Sequence, residues 1–360
     1  MNHVTSGPPA PRADRNAWAE PGTEDLGGGV YRIPLPLPGD ALRAVNIYAI
    51  AGEEGVSLVD AGMATAGAKE RLADALSAIG YGLGDIRNLF ITHIHRDHYT
   101  LAMALRGEAA LGGAIVLGEG ERENLKLILA AGAGKGGEHG QVTRMRWCGA
   151  GELLRALTAA NAGKRVSPGD GLPWDEPDRW LADGTVLHLP SRTLRAIATP
   201  GHTAGHVVYR DETSAALFAG DHVLPHITPS IGFQPVVTRT ALADYLDSLR
   251  LMLTLPDTRL LPAHGPVSPS THARVNELLA HHEERLAQML EVVGTDTTAY
   301  TVARSVPWTR RQRAFADLDL MNQVLATGET GAHLEVLALR GQLTRRTTEE
   351  GTDLYSRPSA

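Results

Sequence analysis

A single cysteine, Cys148, stands in 360 residues. That excludes a disulfide framework and any zinc module built on thiolates, and it fits a reducing compartment. Long apolar runs are missing too. None reaches the ~20 residues that a bilayer-spanning helix needs. The stretch from Met1 to Asp25 is rich in Pro, Gly and Ala and has no apolar signal core. It therefore reads as a disordered leader rather than a signal peptide, and the cytoplasm is the expected compartment. A positive excess is also lacking. Lys and Arg number 34 against 41 Asp and Glu, a net charge of −7, so no global field draws the chain to nucleic acid or an anionic membrane. What is left, 43% hydrophobic and 21% charged, is the composition of a globular protein, long enough for a large domain and a small one.

What the chain does have is histidine concentrated in one place. Phe90-Ile91-Thr92-His93-Ile94-His95-Arg96-Asp97-His98 puts three imidazoles and a carboxylate within six residues. Leu89-Phe90-Ile91 reads as the end of a buried strand, and a helix is expected over Tyr99 to Arg106. The polar residues then sit in the turn at a strand's C-terminal end, where open α/β sheets place their chemistry. His93 and His95 are two apart and can point the same way from an extended backbone. Asp97 and His98 cannot share that direction. The simplest use of such a cluster is two adjacent metal ions, one per pair. Imidazole and carboxylate without thiolate suit zinc, and also iron or manganese.

Strands are expected over 30–35, 44–50 and 55–62, with Gly52 to Gly55 as a hairpin, then a helix over 66–79 and strands over 86–91 and 114–117. Early hairpins imply a mixed sheet. Strand patterns resume at 185–189, 194–199, 216–221 and 259–265, and their ends supply His202, Asp221 and His264. Between them, residues 119–180 break the rhythm with helical stretches and a glycine-rich loop. Such an insertion either covers an active site or decorates the surface. Beyond Ser270, helices are expected over 273–292, 298–303, 315–327 and 332–340, then a short hairpin.

The series His93-x-His95-x-Asp97-His98, Gly201-His202, Gly220-Asp221 and His264-Gly265 resembles the metallo-β-lactamase superfamily over roughly residues 30–267. The C-terminal part looks like the winged-helix appendage of some members. The resemblance implies an α/β fold, a four-layer αβ/βα sandwich over 26–269 with the site at one edge. A small, mainly helical, winged-helix-like domain would follow over 270–360. It also implies that His93, His95 and His202 hold one metal, that Asp97, His98 and His264 hold a second, and that Asp221 bridges them. Two zinc ions are the implied cofactor. Asp60 and the hydroxyl of Thr92 or Thr203 are candidates to support the imidazoles from behind.

The chemistry implied is hydrolysis, because two divalent cations sharing a water bring its pKa toward about 7. Asp97 would orient that nucleophile or pass a proton. No serine or cysteine nucleophile is needed, so Cys148 reads as structural. His206, His222 and His226 crowd the site in sequence. His226 is a catalytic candidate that would bond substrate or an oxyanion, a structural role being the alternative for it and the preferred one for His206. Where many members carry a glycine after Asp-His, this chain has Tyr99, expected to flank the metals and narrow the pocket.

The resemblance points first to a small-molecule acyl substrate, a thioester as in the glyoxalase II-like branch, or an ester or lactone. A single-stranded RNA endonuclease of the lactamase-like type is the second reading. Arg304, Arg310, Arg311, Arg313, Arg340, Arg345 and Arg346 make the tail basic, and Asp317, Asp319, Glu329, Glu335, Glu349 and Glu350 dilute it. A continuous positive groove running to the metals would favour that reading. A mononuclear iron persulfide dioxygenase, the third, would leave the Asp97, His98 and His264 position unused. An exposed apolar face on the terminal unit would let two copies pair as a homodimer.

Overall fold

The computed structural model describes residues 16–108, 110–135, 140–160, 171–309 and 311–358. Seven strands form a first sheet in sequence order: β1 (Glu24–Asp25), β2 (Val30–Pro36), β3 (Ala44–Gly52), β4 (Gly55–Val59), β5 (Ile86–Phe90), β6 (Ala114–Gly118) and β7 (Arg179–Leu181). The first four are antiparallel and the last four parallel, β4 belonging to both runs. A second sheet holds β8 (Val186–Leu189), β9 (Arg192–Ala198), β10 (Val207–Asp211), β11 (Ala216–Gly220) and β12 (Arg259–Pro262), antiparallel except for β11 and β12. The helices are α1 (Ala68–Ser77), α2 (Arg96–Gly107), α3 (Arg122–Gly132), α4 (Gly140–Trp147), α5 (Gly151–Ala160), α6 (Ala241–Thr254), α7 (Thr271–Val292), α8 (Ala299–Ser305) and α9 (Leu320–Leu339). A hairpin of β13 (Thr344–Thr347) and β14 (Asp353–Ser356) follows.

The layering follows from a period of two along each strand. Tyr48, Val59, Phe90 and Val116 face Leu194, Tyr209, Phe218 and Leu261 across the space between the sheets. Their chain neighbours Ile47, Leu58, Leu89 and Ile115 point the other way, onto Leu72 and Leu76 of α1 and Leu101 and Leu105 of α2. On the second sheet Val208, Leu217, Ala219 and Leu260 turn outward onto α6, α7 and the helices beyond. The result is helix, sheet, sheet, helix. No helix among the described residues is long and apolar enough to cross a membrane.

Several elements differ from the sequence expectation, among them β7 and β10, which were not expected as strands. The leader expected over 1–25 is ordered from Asn16 within the described residues: Ala17–Ala19 form a one-turn helix and Glu24–Asp25 pair with β2. Residues 1–15 lie outside the described residues. The two helices expected over 315–327 and 332–340 are instead one, α9, which runs through Gly328 and Gly331. Those glycines permit contact rather than break the helix. A Cβ on Gly328 would come within 2.9 Å of the Arg144 side chain, and one on Gly331 within 2.8 Å of Cys148 Sγ. Lastly, α4 and α5 of the insertion pack on α9, so the insertion shares the core of the C-terminal helices.

Candidate metal centre

All seven ligand-type side chains converge at the C-terminal ends of β5, β9, β11 and β12. His93 follows β5, and His95 stands at the N-cap of α2. Asp97 and His98 lie in the first turn of that helix, where a carboxylate is favoured by the helix dipole. His202 comes from the β9–β10 connection, Asp221 directly follows β11, and His264 follows β12.

Two groups form. In the first, His93 Nε2 lies 2.9 Å from His95 Nδ1, and His202 Nε2 lies 3.2 and 3.0 Å from the same two nitrogens. In the second, His264 Nε2 and His98 Nε2 stand 3.4 and 3.7 Å from Asp97 Oδ2. Asp221 joins them. Its Oδ2 is 3.5 Å from His202 Nε2, while its Oδ1 is 3.4 Å from His264 Nε2 and 3.7 Å from His98 Nε2. Within each group one ligand atom per residue lies inside 4.8 Å of the others.

The inner nitrogens are free because the outer ones are committed. His98 Nδ1 donates to Asp60 Oδ2 at 2.8 Å, His202 Nδ1 to the Ser230 carbonyl at 2.6 Å, and His264 Nδ1 to the Ala44 carbonyl at 2.7 Å. His95 is reversed, donating Nε2–H to the Phe233 carbonyl at 2.8 Å and presenting Nδ1 to the centre. His93 Nδ1 donates to the Thr92 hydroxyl at 3.0 Å, and that hydroxyl donates to Asp60. Each imidazole is thereby held in the tautomer that aims a lone pair inward. Asp60 adopts a left-handed backbone (φ +62°), a conformation that costs a β-substituted residue on the order of 1 kcal/mol or more. It also accepts the Thr92 N–H at 2.8 Å.

Charge divides the two groups. Burial holds His93, His95 and His202 below the ordinary imidazole range, His202 down to about 3. Around His98 burial acts the same way, but Asp60, Asp97 and Asp221 together outweigh it and push the ring up to about 10. His264 is raised against its own burial by Asp221 and Asp97. Both aspartates are held below the usual carboxylate range: burial opposes this, and the neighbouring imidazoles prevail. The pocket therefore favours positive charge. His98 Nε2, His264 Nε2 and Asp221 Oδ1 are buried without a hydrogen-bond partner, an arrangement that is costly unless a cation meets those atoms. The donor set thus fits metal ions: nitrogens and carboxylate oxygens, convergent, inner faces unspent.

A family profile of the metallo-beta-lactamase superfamily matches residues 40–264, a span that holds all seven side chains. The chain belongs to the metallo-β-lactamase superfamily. The beta-lactamase-like protein 2 homolog of Caenorhabditis elegans is 32% identical over 149 residues, covering 39% of this chain and 48% of that protein. A lactamase-like protein of Emericella nidulans is 34% identical over 119 residues, or 33% and 36% of the two chains. The chain thus spans about half the length of these relatives or less. Among solved structures, a metallo-beta-lactamase family protein from Thermus thermophilus superposes with a TM-score of 0.69 at 28% identity, covering 93% of this chain and all of that one. A beta-lactamase domain protein from Burkholderia ambifaria gives 0.73 at 25% identity, covering 93% of each.

Within this metallo-β-lactamase fold, several neighbours of the centre sit elsewhere than the sequence suggested. Tyr99 does not face the cluster of ligand-type side chains. It is fully buried, stacked on Trp174 with its hydroxyl donating to the Asp175 carbonyl at 2.7 Å. His98 and Tyr99 are successive residues of one helix and so face different sides; the pocket takes the first and the core the second. His222 is also buried, between His206 and Tyr245, and does not reach the mouth. His226 does, exposed beside His264. His206 positions Asp221: its Nε2 accepts the Asp221 N–H at 3.1 Å and its Nδ1 donates to the Thr199 hydroxyl at 2.8 Å. Cys148 is buried among α9 contacts, its thiol pushed up to about 12 by burial. It takes no part in the centre.

The insertion proves to be a brace. Glu121, fully buried, accepts the Thr203 hydroxyl and the Ile94 N–H. Asn124 bonds Gln234 at 2.7 Å, and Arg144 donates to the carbonyls of Ile231 and Gly232 at 2.8 and 3.1 Å. These bonds fix the 230–236 loop, whose Ser230 and Phe233 carbonyls orient His202 and His95. No sequence signal marked Glu121, Asn124 or Arg144.

Asp60 offers a direct check on outer support. In Asp60→Asn one face of the side chain becomes an N–H donor opposed to the His98 Nδ1–H. Affinity for the more weakly held metal is expected to fall about 10- to 100-fold, with little change in folded content. Titration of the metal-free protein with zinc measures it, and an unchanged isotherm would exclude the role.

Proposed function

We propose that the chain is a dinuclear metal-dependent hydrolase that cleaves a small thioester, ester or lactone. The observation that carries the reading is Asp221, whose two oxygens address two separate groups of ligands. When bound, the cations would supply a water acidified toward neutral pH and positive charge for a developing oxyanion. The chain's own residues do the rest. His206 and the β11 end hold Asp221 between the groups. Asp97, kept deprotonated by the imidazoles around it, would orient a water for attack. His226 stands at the mouth, within the reach of substrate. Among the described residues the hydroxyls nearest the ligands, those of Thr92 and Thr203, donate to Asp60 and Glu121, so no covalent acyl intermediate is expected.

Three of the tail's seven arginines pair within the protein, which weakens the case for a nuclease; Arg310 lies outside the described residues. Arg340 makes a two-pronged bond to Glu283 at 2.7 and 2.8 Å, Arg345 bonds Glu335 at 2.8 Å, and Arg346 bonds Asp296 at 3.0 Å. These guanidiniums are spent on the protein's own carboxylates.

Elemental analysis of protein purified without a metal-affinity tag tests the proposal, run beside thioester, lactone and RNA substrates. About two metal ions per chain are expected, with acyl hydrolysis that a chelator abolishes and zinc restores. One iron with no hydrolysis would overturn the reading in favour of an oxygenase. Two metals with RNA cleavage alone would promote the nuclease.

A further inference from the structure

The ordered N-terminal segment closes one side of the centre. The Trp18 carbonyl accepts from Arg32 Nη1 at 2.7 Å, and the same nitrogen donates to Asn46 Oδ1 at 3.1 Å. Asn46 Nδ2 in turn donates to the carbonyls of Pro262 and Gly265 at 2.9 and 2.8 Å. Arg32 and Asn46 are buried, and Glu24 of β1 holds Arg32 Nε at 2.7 Å. A relay of buried polar groups thus pins the Trp18 turn to the loop that carries His264. The opposite side is pinned as well: Arg274 of α7 donates to the carbonyls of Leu224 and Ile227 at 2.6 and 3.1 Å.

Between the two lies an open cleft of about 320 Å³ with His264 at its base. Trp18, Leu42 and Ile227 make its apolar walls, and Ile227 is 44% exposed. Asn16, Arg43 and His226 line it with polar groups. Arg43 is exposed, and its guanidinium pairs with no carboxylate among the described residues, unlike Arg96 nearby, which faces Asp40 at 3.7 Å. Its backbone is left-handed (φ +68°), held so by hydrogen bonds from Leu37 N to its carbonyl and from its own N–H to Asp40. A strained, unpaired cation beside an apolar wall, at the edge of a metal centre, is poised for a ligand rather than for the fold.

We propose that this cleft binds the substrate and selects acyl compounds that carry a carboxylate. The apolar body lies against Trp18, Leu42 and Ile227, the carboxylate meets Arg43, and the scissile carbonyl reaches the ligands beside His264. The proposal rests on the hydrolase reading above and names its substrate class. The N-terminal turn, through Trp18, is then part of the binding site.

Two readouts separate this inference from that reading. The first is hydrolysis of succinyl, adipoyl and suberoyl half-thioesters against butyryl, hexanoyl and octanoyl thioesters. The best charged substrate is expected to beat its uncharged match about three- to fivefold in kcat/KM, the strength of an exposed ion pair. Arg43→Ala removes the preference, and Arg43→Lys keeps part of it. Trp18→Ala raises KM about tenfold for both series with little change in kcat, since it removes apolar contact and no reacting group. The second readout is the fluorescence of Trp18, taken as the difference between wild type and Trp18→Phe, on titration with the corresponding half-amides. Quenching that weakens in Arg43→Ala supports the site even where no thioester is turned over. Equal turnover of the two series, a preference that survives Arg43→Ala, or no quenching of Trp18 by any half-amide would each overturn it.

Discussion

Replacing Asp221 with alanine is expected to lower kcat by about a thousandfold or more and to drop bound metal from about two ions per chain to one or none. One carboxylate serves both groups. Its Oδ2 faces His202 and its Oδ1 faces His98 and His264, so in the proposed dinuclear centre its loss would take a ligand from each of the two groups. His95→Ala touches only the first group and leaves Asp97, His98 and His264 intact. It should cost one metal and spare the other. The fold is expected to survive Asp221→Ala, because the backbone N–H of residue 221 still meets His206 Nε2. Elemental analysis, steady-state kinetics and far-ultraviolet circular dichroism on the same preparations give the answer. An alanine variant that keeps both ions and wild-type turnover would remove the bridging carboxylate from the mechanism.

The convergence of seven side chains is readable because each is of ligand type and each lies within eight residues after the end of an apolar strand. Strand ends gathered on one edge of the two-sheet sandwich lie close together, and the ligands come from β5 of one sheet and β9, β11 and β12 of the other. What holds them was not readable. Ser230, Phe233 and Ala44 contribute carbonyls, which any residue type could supply. Glu121 reaches Thr203 from 82 positions away, and nothing local to either announces the pair. Asp60 was legible as a strand-end aspartate, but the same pattern suits an ordinary turn. Only its φ of +62° and its bonds to Thr92 and His98 decide for support of the centre.

Other misreadings share a cause: a local rule yielding to a distant contact. Gly328 and Gly331 look like helix breakers, yet α9 runs through them because Arg144 and Cys148 need the room. The leader looked disordered from its Pro, Gly and Ala. Its last ten residues are ordered because Arg32, in β2, holds both the Trp18 carbonyl and Glu24. The strand β10 hides behind the Gly201-His202 motif, whose polar loop draws attention from Val207, Val208 and Tyr209. Each of those three side chains packs into one of the two cores that flank the second sheet.

Gly201 joins the motif to the core and carries the largest expected effect on stability. Its φ is +138°, and a Cβ there would lie 2.4 Å from Tyr245 Cβ, 2.5 Å from its Cα and 2.7 Å from its N. Two of these are backbone atoms of α6, which cannot swing aside as a side chain can. Gly201→Ala is therefore expected to cost about 3 kcal/mol or more, combining backbone strain with a displaced helix. Gly80→Ala is the matched control: φ is +87°, and nothing lies within 4 Å of the added carbon, so about 1 kcal/mol is expected from conformation alone. Activity should fall further than stability in the first variant and not at all in the second. The Gly201 and His202 carbonyls both accept the Gly232 N–H at 3.2 Å. A shift at 201 moves the loop whose Ser230 and Phe233 carbonyls orient His202 and His95. Denaturant unfolding of the metal-free proteins separates the two costs, with the midpoint of Gly201→Ala well below that of Gly80→Ala. Coincident midpoints would mean that α6 yields to the methyl group. The glycine before His202 would then serve only its own backbone angle.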